Sequence, residues 1–236
     1  MSEPTVAPAG RTGWPLILGV LLLRTVLLFA GTAVLTPLLG GYHRALIWSN
    51  VTIVVVDVIS ILVIGRLLHR RGETLRGLIG ARFRDTGWAL LCFVIVVAGF
   101  LVATFIGNLV AYRGPPLDFV VFAPPLWLGV WSLLVMPVTI AFAEELLYRG
   151  WAQRELTART SRGLGVLIMA VFFALQHAAL TRLDVEAQLS RFVAMFLVGL
   201  LFGVLYLWRR RLWPLIVAHW LLNVVGLGLP VLLTAL

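Results

Sequence analysis

Two adjacent carboxylates, Glu144 and Glu145, close a long apolar run that begins near Leu126. A charged side chain inside a bilayer costs roughly 2.5–3.5 kcal/mol on insertion scales, so such residues usually mark function. Residues four apart share a helix face, so Glu145 can pair with Arg149, whereas Glu144 points about 100° away and has no cation in its own helix. Carboxylates in different environments recur in acid–base catalysis. The simpler interpretation is a helix end whose charged side chains reach the membrane interface.

Two later apolar runs carry polar side chains at the same spacing. Phe173 and His177 are four residues apart, and His219 and Asn223 repeat that spacing nearer the C-terminus. A histidine and an asparagine on one face offer two hydrogen-bond donors, which suits the stabilisation of an oxyanion. The alternatives are a buried histidine bonded to a backbone carbonyl, and polar contacts that hold membrane helices together. Three spans that each present polar groups on one face indicate one buried polar site.

The composition indicates that these residues lie within a membrane. The chain has 236 residues, of which 61% are hydrophobic, and its mean hydropathy is +1.02. These values lie far outside the usual soluble range. The apolar runs are long and continuous, which favours helices over the short alternating strands of a barrel. We therefore expect an all-α, polytopic helix bundle of about seven transmembrane helices, multi-pass in the cell membrane, with the lipid bilayer as its surroundings.

The apolar runs also predict the organisation of the chain. The predicted spans cover residues 14–39, 45–65, 88–112, 126–151, 163–180, 192–208 and 213–236. We expect residues 1–12 to be a disordered tail, 13–125 to hold the N-terminal transmembrane helices, and 126–236 to form the core with the polar site. Pro137 should kink the fourth span seven residues before Glu144. Residues 153–162 and 181–191 are expected to be loops, and residues 73–83 a segment along the membrane surface.

Charged residues supply two further expectations. Arg24 and Asp57 lie at comparable depth in the first two spans, which favours an ion pair, with a substrate or proton pathway as the alternative. If the N-terminus is cytosolic, fourteen of the 19 arginines fall on cytosolic segments, as the positive-inside rule requires. The formal net charge of +9 does not indicate a nucleic-acid partner, because the arginines are distributed among the loops. With this orientation the spans place Glu144, His219 and Asn223 in the cytosolic half of the membrane, so we expect a polar cavity at the cytosolic leaflet.

The three motifs together carry a resemblance to a known family. They read Glu144-Glu-Leu-Leu-Tyr-Arg149, Phe173-Ala-Leu-Gln-His177 and His219-Trp-Leu-Leu-Asn223, in that order on successive C-terminal spans. This arrangement resembles the CPBP family, also called the Abi family, which contains type II CAAX prenyl endopeptidases and bacteriocin-processing or bacteriocin-immunity relatives. The resemblance covers roughly residues 127–225. It implies an intramembrane endopeptidase that hydrolyses peptide bonds of membrane-associated peptides or proteins, at a site open to the cytosol.

The resemblance also implies roles for individual residues. Glu144 would be the general base that activates a water together with His177, and His219 and Asn223 would stabilise the oxyanion. The supporting residues would be Glu145, Arg149 and Phe173. We expect no metal cofactor, but the family has also been described as metalloproteases. Zinc held by Glu144, His177 and His219 is therefore the alternative.

The sequence is also compatible with two other functions. A non-catalytic immunity or interaction protein could keep the motifs for folding alone. A proton-coupled transporter could use Arg24, Asp57 and the glutamate–histidine cluster. Transporters built from inverted repeats usually show two similar halves, and no internal repeat is visible in this chain.

Overall fold

The computed structural model describes residues 12–116 and 123–236, and within these residues the chain is helical and contains no strand. The predicted disordered tail therefore lies outside the described residues, except for Thr12. The α-helices are α1 (Trp14–Leu38), α2 (Tyr42–His69), α3 (Leu75–Ile79), α4 (Thr86–Tyr112), α5 (Leu126–Leu134), α6 (Met136–Glu144), α7 (Arg154–Arg159), α8 (Arg162–Ala178), α9 (Val185–Arg209), α10 (Trp213–Asn223) and α11 (Leu229–Ala235). Two π-helical segments, Glu145–Gln153 and Val224–Gly228, join α6 to α7 and α10 to α11.

Six of these helical stretches are long and apolar enough to cross a membrane, so the predicted multi-pass helix bundle is confirmed. They are Trp14–Leu38, Tyr42–His69, Thr86–Tyr112, Leu126–Arg159, Val185–Arg209 and Trp213–Ala235. The predicted fifth span corresponds to α8, which has 17 residues. At 1.5 Å per residue it is about 25 Å long, slightly shorter than a typical hydrocarbon core of about 30 Å.

The predicted break near Pro137 is present. The helix divides at Val135, between α5 and α6. Proline has no backbone N–H, and its ring crowds the carbonyl four residues earlier, here that of Leu133, so the regular ladder of hydrogen bonds cannot continue. The break turns α6 and the following π-helical segment into the middle of the bundle, where all nine residues of Glu145–Gln153 are buried.

Two segments that the sequence predicts to be loops are largely helical. Residues 153–162 do not form a loop, because α7 continues the helix and an ion pair of 2.8 Å joins Glu155 to Arg159 one turn apart. Residues 181–191 are not a loop throughout, because α9 begins at Val185. The Asp184 side chain caps this helix by accepting a hydrogen bond from the backbone N–H of Ala187 at 2.7 Å. The polar residues that suggested loops instead form an ion pair within a helix and a helix cap.

The chain alternates between two ends of the bundle. We call the end that carries the connections 70–85, 160–161 and 210–212 the arginine-rich face, and the end that carries 39–41, 113–116 and 179–184 the opposite face. The connections at the arginine-rich face contain Arg70, Arg71, Arg76, Arg82, Arg84, Arg210 and Arg211, and the described connections at the opposite face contain Arg113 and Arg182. The positive-inside rule therefore predicts that the arginine-rich face is cytosolic.

Close packing of α8 against α9 positions the second motif. A β-carbon added to Gly199 would lie 3.1 Å from Ala170 Cα and 3.3 Å from a ring carbon of Phe173. Only glycine lets α9 approach α8 this closely, so the position of Phe173, and of His177 one turn later, depends on Gly199.

We expect Gly199→Val to separate α8 from α9 and to lower the apparent melting temperature in detergent. Overpacking of this kind costs about 1–3 kcal/mol. The matched control is Gly19→Val on α1, because a β-carbon there meets nothing within 4 Å. Equal melting temperatures for the two variants would contradict the packing argument.

Candidate active site

All four residues predicted to be catalytic line one cavity of about 290 Å³. Glu144 reaches it from the end of α6, His177 from the end of α8, and His219 and Asn223 from one face of α10. Residues that the sequence places on three different helices therefore come together at one cavity.

The carboxylates lie in the interior and not at a membrane interface. Glu144 is 3% exposed, and Glu145 and Arg149 are fully buried. They stand where α6 gives way to the π-helical segment, a kind of distortion that is frequent at functional sites. The interpretation as a helix end with charges at the membrane surface is wrong, because the helix continues to Arg159.

Glu145 does not itself line the cavity and belongs to a buried polar assembly. Its Oε1 accepts hydrogen bonds from Arg149 Nη1 at 3.0 Å and from His219 Nδ1 at 2.9 Å. The Arg149 guanidinium lies 4.5 Å from the ring centre of Phe173 and 4.7 Å from that of Phe202, within the range of cation–π contacts. The predicted pairing of Glu145 with Arg149 is confirmed, and Phe173 packs on the same assembly.

Glu144 is paired with a cation from another helix. Its Oε1 accepts a hydrogen bond from Arg24 Nη2 at 3.1 Å, so a cation from α1 faces this carboxylate. Its Oε2 is buried and accepts no hydrogen bond from the described residues, and it lies 3.8 Å from His219 Nε2. The prediction that Glu144 has no cation in its own helix holds, because Arg24 belongs to α1.

Arg24 connects the first two helices to the site. Its Nη1 donates to Asp57 Oδ1 at 2.5 Å, which confirms the predicted ion pair. Its Nε donates to Gln176 Oε1 at 2.6 Å. Arg24 is 2% exposed and Asp57 is fully buried. The sequence did not predict the contacts of Arg24 with Glu144 and Gln176, although Gln176 adjoins His177 in the second motif.

The two histidines present their ring nitrogens differently. His177 Nδ1 lies 2.8 Å from the carbonyl oxygen of Phe173. Because a carbonyl can only accept, Nδ1 carries the proton and Nε2 of the neutral ring is an acceptor. His219 Nδ1 in the same way donates to Glu145, which leaves its Nε2 on the side of Glu144. The predicted bond of a buried histidine to a backbone carbonyl is therefore present, but it leaves one His177 nitrogen available.

Asn223 completes the cavity with an unused donor. Its Nδ2 is buried and has no hydrogen-bond partner among the described residues. Buried polar atoms are nearly always paired in native structures, so each exception needs an explanation. The cavity contains two such atoms of opposite character, an acceptor on Glu144 and a donor on Asn223, and a bound water or substrate group would satisfy both.

Several charged side chains surround the cavity. Arg24 pairs with Asp57 and Glu144, Arg149 pairs with Glu145, and Arg191 also lines the cavity. An isolated charge is costly in a medium of low dielectric constant, so these pairs make the burial of the carboxylates tolerable. His219 stands between the two glutamates, with Nδ1 2.9 Å from Glu145 and Nε2 3.8 Å from Glu144.

The described residues contain no ready-made group of metal ligands. Across residues 12–116 and 123–236, no three His, Cys, Asp or Glu side chains are placed so that they could hold a metal ion. One oxygen of Glu144 is bonded to Arg24, whereas both histidines keep Nε2 free of hydrogen bonds. The expectation of a site without a metal, with zinc as the alternative, stays a prediction.

The cavity is lined by residues from both halves of the bundle. Besides the four residues above, Leu46 and Asn50 from the first turns of α2 and Arg191 from the second turn of α9 line it, and these helix ends belong to the opposite face. His219 lies in the second turn of α10, which begins at the arginine-rich face. The expected cavity at the cytosolic leaflet stays a prediction.

Comparison with known proteins identifies the family. Residues 124–225 match the family model of the type II CAAX prenyl endopeptidase Rce1-like proteins. None of the curated proteins and none of the solved structures matches the chain. The matched segment contains all three motifs and therefore confirms the predicted resemblance. Residues 124–225 of this multi-pass membrane protein are therefore similar to the Rce1-like family of type II CAAX prenyl endopeptidases.

The buried pair of Glu145 and Arg149 should contribute strongly to stability. We expect Arg149→Met to cost about 3–5 kcal/mol, because Glu145 loses a buried charged partner. Arg182→Met is the matched control, since the pair of Arg182 with Asp184 is partly exposed and such pairs contribute about 0–1 kcal/mol. Denaturant unfolding of both variants in detergent measures the difference. A loss for Arg149→Met no larger than that for Arg182→Met would show that the buried pair is not needed.

Proposed function

We propose that this protein hydrolyses peptide bonds of membrane-associated peptides or proteins in the cell membrane, with Glu144 as the general base. The observation that carries the proposal is that the two oxygens of Glu144 have different partners. One oxygen is held by Arg24, and the other is buried, without a partner among the described residues, and lies in a cavity with two histidines and an asparagine. A base must have an available lone pair close to the proton that it removes.

The first step is the activation of water. A water in the cavity can donate one proton to Glu144 Oε2 and the other to His177 Nε2, which is an acceptor because Nδ1 is protonated. Glu144 takes a proton as the water oxygen attacks the peptide carbonyl. The Phe173 carbonyl and the Phe173 ring, whose centre is 4.6 Å from that of the imidazole, keep the His177 ring in its orientation.

The second step is the stabilisation of the tetrahedral intermediate. Asn223 Nδ2 is a neutral donor that has no partner among the described residues, and it can donate to the oxyanion. His219 already donates from Nδ1 to Glu145, so only the imidazolium form of its ring would donate from Nε2 as well. Donors that are already oriented before the reaction are worth far more than donors that must reorganise. The protonated Glu144 then delivers its proton to the leaving nitrogen, so that the C–N bond breaks and a carboxylic acid and an amine are released.

The size of the cavity indicates what kind of substrate enters. About 290 Å³ is close to the lower limit of ordinary ligand pockets, which start near 300 Å³. Such a space accepts a short extended segment of a chain and no folded domain. The substrate is therefore a peptide or a flexible segment of a protein held at the membrane.

We expect Glu144→Gln to lower peptide hydrolysis about 10²–10⁴-fold, because the amide keeps the shape of the side chain and removes the base. Asn223→Ala should lower kcat about 10²–10³-fold through the loss of one oxyanion donor. The assay uses purified protein in proteoliposomes with a library of quenched fluorescent peptides, and mass spectrometry identifies the cleaved bonds. The matched control is Glu186→Gln, because Glu186 is exposed in the first turn of α9.

Three outcomes would contradict the proposal. Full activity of Glu144→Gln would exclude the base. Activity that is lost with a chelator and restored by zinc, with one metal bound per chain, would replace it with a metal-dependent mechanism. A protein that cleaves no peptide, but shows proton-coupled uptake in the same vesicles or binds a partner without cleaving it, would favour the transporter or the immunity protein.

A further inference from the structure

We propose that Arg24 is a positioning residue for the general base, and this inference rests on the proposed function. Arg24 fixes Oε1 of Glu144 and so determines that Oε2 is the oxygen presented to the cavity. Arg24 lies 100 residues before the matched family segment begins, and nothing in the three motifs points to it.

The hydrogen bonds of Arg24 define its geometry. The planar guanidinium donates in three directions, from Nη1 to Asp57, from Nη2 to Glu144 and from Nε to Gln176, at 2.5, 3.1 and 2.6 Å. The acceptors lie on α2, α6 and α8, so three helices hold the group in one plane. A guanidinium is the one cationic side chain whose donors form a rigid fork. A lysine could supply the charge but not the three directions.

Asp57 fixes Arg24 from behind. Its Oδ2 accepts a hydrogen bond from Thr139 Oγ1 at 2.7 Å, and Thr139 lies on α6, the helix that also carries Glu144. The contacts therefore close a loop from Glu144 through Arg24, Asp57 and Thr139 back to α6. A rigid loop of this kind leaves the carboxylate of Glu144 little freedom to rotate.

An ion pair with a purely structural role would not need the third contact. Arg24 and Asp57 already neutralise each other, yet Nη2 is directed at the carboxylate that lines the cavity. A carboxylate free to rotate presents either oxygen and loses its alignment with the water. A displacement of about 1 Å at a reacting group can lower a rate about 10²-fold. The expected consequence of losing Arg24 is therefore a loss of kcat, with KM little changed.

The test compares neutral and cationic replacements of Arg24 in the peptide assay. Arg24→Gln alone leaves Asp57 buried and uncompensated and can unfold the protein. The double variant Arg24→Gln/Asp57→Asn removes both charges together and keeps the polar shape. We expect this double variant to be folded and to lose about 10²-fold in kcat with an unchanged KM. Arg24→Lys should recover at most part of that loss.

The matched control is Arg66→Gln, an exposed arginine on α2 for which we expect unchanged kinetics. Activities are divided by the fraction of folded protein, so a role in folding alone would not change kcat. A double variant with the kcat of the wild type, measured alongside an inactive Glu144→Gln, would overturn the role of Arg24 and leave the proposed function standing. An active Glu144→Gln would instead overturn the function itself.

Discussion

The buried guanidinium of Arg24 is the interaction on which the arrangement of this protein depends. It is 2% exposed and is held by two carboxylates and an amide from three other helices. Within a membrane bundle such a charge is tolerated only when its donors are satisfied, and the loss of one partner of a buried pair typically costs about 3–5 kcal/mol. The helices α1 and α2 are therefore tied to the segment that matches the Rce1-like family, although both lie outside it.

The two adjacent glutamates pair with different buried cations, Glu145 with Arg149 and Glu144 with Arg24. Glu145 Oε1 accepts from Arg149 and from His219, and its surroundings of aromatic rings exclude it from the cavity. Glu144 receives one donor, from Arg24, and keeps one oxygen for the cavity. The sequence suggested that the two carboxylates have separate environments, and this holds, but the separation arises from two cations and not from one paired and one free glutamate.

The features predicted correctly from the sequence are those that depend on a single helix. The spacing of four predicts the contact of Glu145 with Arg149 and the contact of Phe173 with His177, because both partners share one face. Long continuous apolar runs predict the spans, because each run forms one helix. The ion pair of Arg24 with Asp57 could also be predicted, because opposite charges at similar depth in an apolar medium attract each other strongly.

The features that depend on the packing of helices were missed. The contact of Arg24 with Glu144 joins residues 120 positions apart, and no local pattern encodes it. The second predicted loop failed because Asp184 is the cap of α9 and not part of a polar connection.

The most direct test of the account is a structure of the Glu144→Gln variant with a cleavable peptide trapped in the cavity. The account predicts that the scissile carbonyl oxygen lies about 2.7–3.1 Å from Asn223 Nδ2, the usual distance for an oxyanion donor. It also predicts a water between the side chain at position 144 and Nε2 of His177. A peptide bound elsewhere in the bundle, or one whose carbonyl oxygen points away from Asn223, would contradict the assignment of this cavity as the site of hydrolysis.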